Sequence, residues 1–130
     1  MSLLYIAPER LYAGDTDFRV WELLDENGDA YNLSRVTVSV TMYLQKLGSA
    51  VAPVEKALLL GQPQSGETAF PDSGDGTDGK IQFLLDTDDT DHAGEVWKRW
   101  IRYQDTGTNP NTDFTYASGI LRFLNPLLDS

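Results

Sequence analysis

Val36-Thr37-Val38-Ser39-Val40-Thr41-Met42-Tyr43-Leu44 alternates apolar and polar positions with period two across nine residues, which is the pattern of a strand with one buried face. Val36, Val38, Val40, Met42 and Leu44 are expected on that face, and such a face needs a second layer to cover it. Just upstream, Asp17-Phe18-Arg19-Val20-Trp21-Glu22-Leu23-Leu24 is rich in strand formers and runs into Asp25-Glu26-Asn27-Gly28-Asp29. Asn-Gly is the strongest short signal for a chain reversal. Phe18 and Val20 share one side of this strand, while Trp21 and Leu23 fall on the other. The reading takes Phe18 and Val20 inward.

The rest of the chain continues in strands. Leu3-Leu4-Tyr5-Ile6 forms a short first strand ended by Pro8, which cannot donate to a ladder. Val51 to Leu60 is a ragged or edge strand interrupted by Pro53. A long glycine-rich loop follows at 61–79, with Phe70 its one large apolar side chain; loops of that length are functional, mobile or both. Ile81, Phe83 and Leu85 restore period two. Asp86 to Gly94 has capping residues but little apolar content, so it reads as a helical turn crossing between sheets. Glu95 to Gln104 places Trp97, Ile101 and Tyr103 on one side and Lys98, Trp100 and Arg102 on the other. A turn at 105–113 leads to a final strand, Phe114 to Leu124, antiparallel to its predecessor. The fold class that follows is all-β: a single domain over 1–130, a two-sheet antiparallel immunoglobulin-like sandwich of seven to eight strands. Its expected core is Phe18, Val20, Val36, Val38, Val40, Ile81, Phe83, Ile101, Leu121 and Phe123.

Composition narrows the function. The 130 residues hold no cysteine, so neither a disulfide framework nor an antibody-type cysteine pair exists and packing must supply stability. Twenty acidic residues against ten basic ones give a formal charge of -10. Nucleic acid is excluded as an expected partner, because phosphate binding needs a concentrated basic face. No apolar run is long enough for a membrane span or a signal peptide, so a soluble protein made in the cytoplasm is expected.

The order Gly14-Asp15-Thr16, Leu24-Asp25-Glu26-Asn27-Gly28, then Asn32-Leu33 before a valine-rich strand resembles the small immunoglobulin-like domains of tailed-phage virions. So does the second half, with Gly79-Lys80-Ile81 and Phe83, an acidic turn ending in Ala93-Gly94, an aromatic-rich strand, and Ala117-Ser118-Gly119-Ile120-Leu121-Arg122-Phe123. The family is best represented by the N-terminal domain of phage baseplate upper proteins. The resemblance implies a non-enzymatic structural role in the virion, as a tail, neck or baseplate adaptor or decoration subunit assembled in the host cytoplasm. Its implied partners are other virion proteins, with multiple copies in a symmetric assembly. The chain departs from that family in its longer 61–79 loop and in ending soon after the domain.

Three constellations remain. His92 is the sole histidine, and its neighbour Asp91 diverges from it on a turn, so it reads as a loop residue; no enzyme is expected. Asp72, Asp75 and Asp78, interleaved with glycines, offer hard oxygen ligands for calcium or simply form a solvated turn. Trp97 and Trp100 sit where one indole must face away from the core. An outward Trp with Arg102 reads as a protein interface or, alternatively, as a carbohydrate-binding or host-surface adhesion platform. Leu3, Leu4 and Ile6 at one end and Leu127 and Leu128 at the other are expected as apolar docking handles.

Overall fold

The computed structural model describes residues 4–64 and 67–125. Nine strands are present among them: β1 (Leu4–Tyr12), β2 (Asp17–Glu22), β3 (Val38–Lys46), β4 (Val54–Leu59), β5 (Gln62–Pro63), β6 (Thr68–Ala69), β7 (Lys80–Leu85), β8 (Val96–Asp105) and β9 (Thr112–Leu124). They form a six-stranded sheet in the order β1-β9-β8-β3-β4-β5 and a three-stranded sheet in the order β2-β7-β6. This is an all-β sandwich in which β4 and β5 widen the sheet that holds β8 and β9, as the extra strand pair does in variable-type immunoglobulin domains, while β1 joins that sheet rather than the smaller one.

The two inner faces meet in one core. Val38, Val40, Met42 and Leu44 from β3, Leu58 from β4, Ile81, Phe83 and Leu85 from β7, Ile101 and Tyr103 from β8, and Ala117, Leu121 and Phe123 from β9 are all buried there. Period-two alternation produces this directly, since each strand turns every second side chain inward. Between the sheets runs the expected helical turn, α1 (Thr87–Thr90). It is closed by a capping box in which Asp86 Oδ1 accepts from Asp89 N (3.0 Å) and Asp89 Oδ2 accepts from Asp86 N (2.9 Å).

Several expectations are corrected. Phe18 and Val20 are not core: they are 60% and 52% exposed. The opposite parity is set by Leu23, fully buried just past β2, with its N–H bonded to Gly79 O and its carbonyl to Tyr31 N–H. Trp21 follows Leu23 inward and packs against the core, which turns Phe18 and Val20 out. Val36 is also not core but 73% exposed, because β3 starts only at Val38, whose N–H closes a turn onto Arg35 O.

The chain does reverse at Asp25 to Asp29, where Asp25 Oδ1 accepts from Asn27 N and Asp29 N. Its return, however, is a single Leu24–Ala30 bridge, and the partner of β2 is β7. The first strand runs on past Pro8, shifting register between Ile6 and Glu9, and it pairs with β9 in parallel. A proline without an N–H interrupts a ladder on an edge strand without ending it.

The 61–79 stretch is not one open loop. It contains β5, β6 and a 3-10 turn at Pro71–Ser73, and it is pinned by Gly61 N to Val38 O, Leu33 N to Gly76 O and Leu84 N to Glu67 O. The Phe70 ring packs on Gly76, where a Cβ would come within 2.6 Å of Phe70 Cε1.

Candidate interaction faces

Two clusters of buried charge hold the sheets together. At one edge Arg99, 1% exposed on the inward side of β8, pairs through Nη2 with Glu9 of β1, and Glu9 pairs in turn with Arg19 of β2, which also bonds Asp17 at 2.9 Å. Gly119 lies in register between Arg99 and β1, and with no side chain of its own it leaves the row open for the guanidinium to cross. Above Arg99 lies the Trp21 indole, its centroid 5.6 Å from Cζ. Burial lowers the Arg99 pKa to about 10, which leaves the group charged at neutral pH.

At the other edge Lys56 of β4, 6% exposed, reaches Glu67 Oε2 (2.7 Å) and Asp89 Oδ2 (2.9 Å). Burial alone would lower the Lys56 pKa, but the hydrogen bonds and charges of Glu67 and Asp89 outweigh it and raise the group. Carboxylate oxygens of Glu67, Asp86 and Asp89 lie within 4.8 Å of one another. The Lys56 ammonium supplies positive charge to this group from within the chain.

The outer faces carry what the core does not use. On the large sheet, Tyr43 and Trp100 are register partners whose rings stack at 5.0 Å and 12°. Lys98 Nζ lies 5.4 Å from the Trp100 centroid, and Arg102 pairs with Asp113 at 2.9 Å. On the small sheet, Phe18 and Val20 stand outward beside Leu84 and Gln82 of β7. No helix among the described residues is long and apolar enough to cross a membrane.

Neither a scan of protein-family models nor a search of curated protein sequences found a match to this chain.

The sites expected from sequence are distributed as follows. Trp97 and Trp100 separate as the strand period requires. Trp97 packs toward the core beside Phe123 and His92, with Nε1 donating to Glu95 Oε1 (3.1 Å), while Trp100 and Arg102 share the outer face. His92 is the expected loop histidine, with its ring 4.4 Å from Trp97 and Nδ1 3.4 Å from Glu95 Oε1.

Asp75 and Asp78 turn back onto their own loop. Asp75 Oδ1 accepts from Thr77 N and Thr77 Oγ1, and Asp78 Oδ1 accepts from Lys80 N. Together with Asp72 they do not form one of the converging carboxylate groups among the described residues. Leu4 and Ile6 lie on β1 opposite Ala117 and Gly119. Leu3, Leu127 and Leu128 lie outside the described residues.

Sequence reasoning missed Arg99 and Lys56 as interior charges. Their parity was readable, since Arg99 falls between Trp97 and Ile101, and Lys56 between Val54 and Leu58. No local pattern announces that a cation will be sealed by partners from another sheet.

Proposed function

We propose that this domain is a non-enzymatic structural subunit of a tailed-phage virion, an adaptor or decoration protein of the tail, neck or baseplate that binds other virion proteins. The order of its turn and strand motifs supports the reading, as does an immunoglobulin-like sandwich, a fold that presents two broad faces. The observation that carries it is the pair Phe18 and Val20, 60% and 52% exposed on the outward side of an edge strand. Exposed apolar surface rimmed by polar residues marks sites of protein contact.

The test is incorporation into particles. Tagged wild-type protein is expected to co-purify with phage particles, and Phe18→Ser/Val20→Ser is expected to fold normally and be lost from them. Absence of the wild-type protein from purified particles overturns the reading.

A carbohydrate-binding role rests on the outward Tyr43–Trp100 pair. Retention on a polysaccharide column that Trp100→Ala abolishes would replace the structural reading with that one. The two rings stack on each other within the sheet face and leave Trp100 half-buried, which favours the protein-contact reading.

A further inference from the structure

Charge is segregated between the two outer faces. The loops at both ends of β2 and β7 (13–16, 23–30, 72–79 and 86–91) hold one, three, three and four acidic residues and no Lys or Arg; Asp86 and Asp89 of the last turn toward Lys56, which leaves nine of the chain's twenty acids for the rim. Phe18, Val20 and Leu84 lie between those loops on the outer side of the small sheet, where the one basic residue, Lys80, stands in register with Glu22. The outer face of the large sheet has the opposite character. Arg10, Lys98, Arg102 and Arg122 share the side that carries the Tyr43–Trp100 stack, as the pairing of Arg10 with Arg122 and of Arg122 with Val96 requires. Four of the chain's ten basic residues thus stand on one face, with Glu55 and Asp113 their acidic neighbours there.

An apolar centre with an acidic rim on one side and an aromatic centre with a basic rim on the other have the anatomy of two halves of one interface. Opposite charges around matching apolar centres set register and exclude like-face pairing, since acid on acid or base on base is repelled.

We propose that the acidic, Phe18-bearing face of one copy docks on the basic, Trp100-bearing face of a second copy, head to tail. The proposal rests on the structural-subunit reading and names one partner within it. Such a contact is heterologous, so each bound copy leaves one face of each kind free, and repetition gives a ring or a stack rather than a closed dimer.

The experiment is sedimentation velocity over a concentration series at low and high salt. Wild-type protein should sediment faster as concentration rises, and added salt should weaken the effect. Phe18→Ser/Val20→Ser loses one face and Lys98→Glu/Arg102→Glu the other. All four positions are on outer faces, and unchanged circular dichroism and melting temperature confirm the fold of each variant. Each variant alone should associate about tenfold or more weakly than wild type.

Mixed together, the two variants should form a one-to-one dimer and nothing larger, because each retains the face the other lacks. A wild type that stays monomeric at every concentration, a mixture that stays monomeric, or variants that associate like wild type would each overturn the proposal. A monomeric wild type that still enters particles sinks this proposal and spares the structural reading; a self-associating protein absent from particles does the reverse.

Discussion

The Arg99 guanidinium lies 5.6 Å from the centroid of the Trp21 indole, linking the eighth strand in one sheet to the second strand in the other. Antibody domains join their two sheets with a disulfide; in this cysteine-free chain the contact is a cation over an aromatic face, continued through Glu9 to Arg19. Cation–π pairs of this kind contribute on the order of 1–2 kcal/mol when desolvated. Within the network Arg99 Nη1 and Trp21 Nε1 have no hydrogen-bond partner among the described residues.

Arg99→Ala is therefore expected to destabilise the domain by about 3 kcal/mol, the low end for a broken buried pair, because it empties the space under Trp21 and leaves the largely buried Glu9 carboxylate only the part-exposed Arg19 as a partner. Arg99→Met combined with Glu9→Gln should recover much of that loss, since it removes both charges and fills the space. Urea unfolding followed by tryptophan fluorescence measures both. Equal loss in the single and double variants would show that packing, not charge, is what Arg99 provides.

Lys56→Ala is expected to cost roughly 2 kcal/mol, below the range for a fully buried pair because Glu67 is partly solvated. The Lys56 pKa is raised, so its contribution is complete below about pH 10.5 and is lost as pH rises through the higher folded-state value. The difference in melting temperature between wild type and Lys56→Met should accordingly shrink at the alkaline end. A difference that grows with pH would contradict the ion-pair account.

Tyr103, 3% exposed, has its phenol pushed up to about 12, first by burial and then by the charge of Asp105. A raised folded-state pKa means that its contribution is full below pH 10 and is lost as pH climbs from 10 toward 12. The ultraviolet absorbance of ionised phenol should show a late-titrating tyrosine, absent in Tyr103→Phe, whose ionisation accompanies unfolding. Tyr103→Phe should flatten the loss of stability over that window.

Phe18→Ser should change stability by no more than about 0.5 kcal/mol, as exposed substitutions do. Phe83→Ala should cost about 3–5 kcal/mol through the cavity it opens. A large loss at Phe18 in thermal or urea unfolding would restore the inward orientation of β2 that the structure rejects.

Gly61→Ala is expected to be among the costly glycine changes. Its φ is +74°, and a Cβ would meet Ser34 O at 2.6 Å and Arg35 O at 2.7 Å, both backbone atoms. Positive φ alone costs about 1 kcal/mol, and the clash adds to it. A neutral effect on the unfolding midpoint would mean that the 34–38 turn shifts freely.

Most of the layering was legible in the residues, because period-two patterning is local: Val38 to Leu44, Ile81 to Leu85 and the alternation of Trp97 and Trp100 each declare a two-sided strand. The helical turn was legible for a similar reason, since Asp86 and Asp89 bond to each other's backbone three residues apart. Alternation says that two sides differ, but it does not say which is inside when both carry large apolar groups. For β2 that choice between Phe18 with Val20 and Trp21 with Leu23 was made by Leu23 locking onto Gly79 and Tyr31, more than fifty residues apart from one end of that contact to the other. Likewise the burial of Arg99 and Lys56 depends on Glu9, Glu67 and Asp89, which arrive from other strands and from α1. The sequence by itself determined the long strands β3, β7, β8 and β9, the reversal at Asp25 to Asp29 and the capped crossing, which depend on neighbours within a few residues. Only the tertiary structure decided the inward side of β2, the parallel seating of β1 and the charged ties between sheets, because each depends on desolvation and pairing between groups that meet only after the layers close.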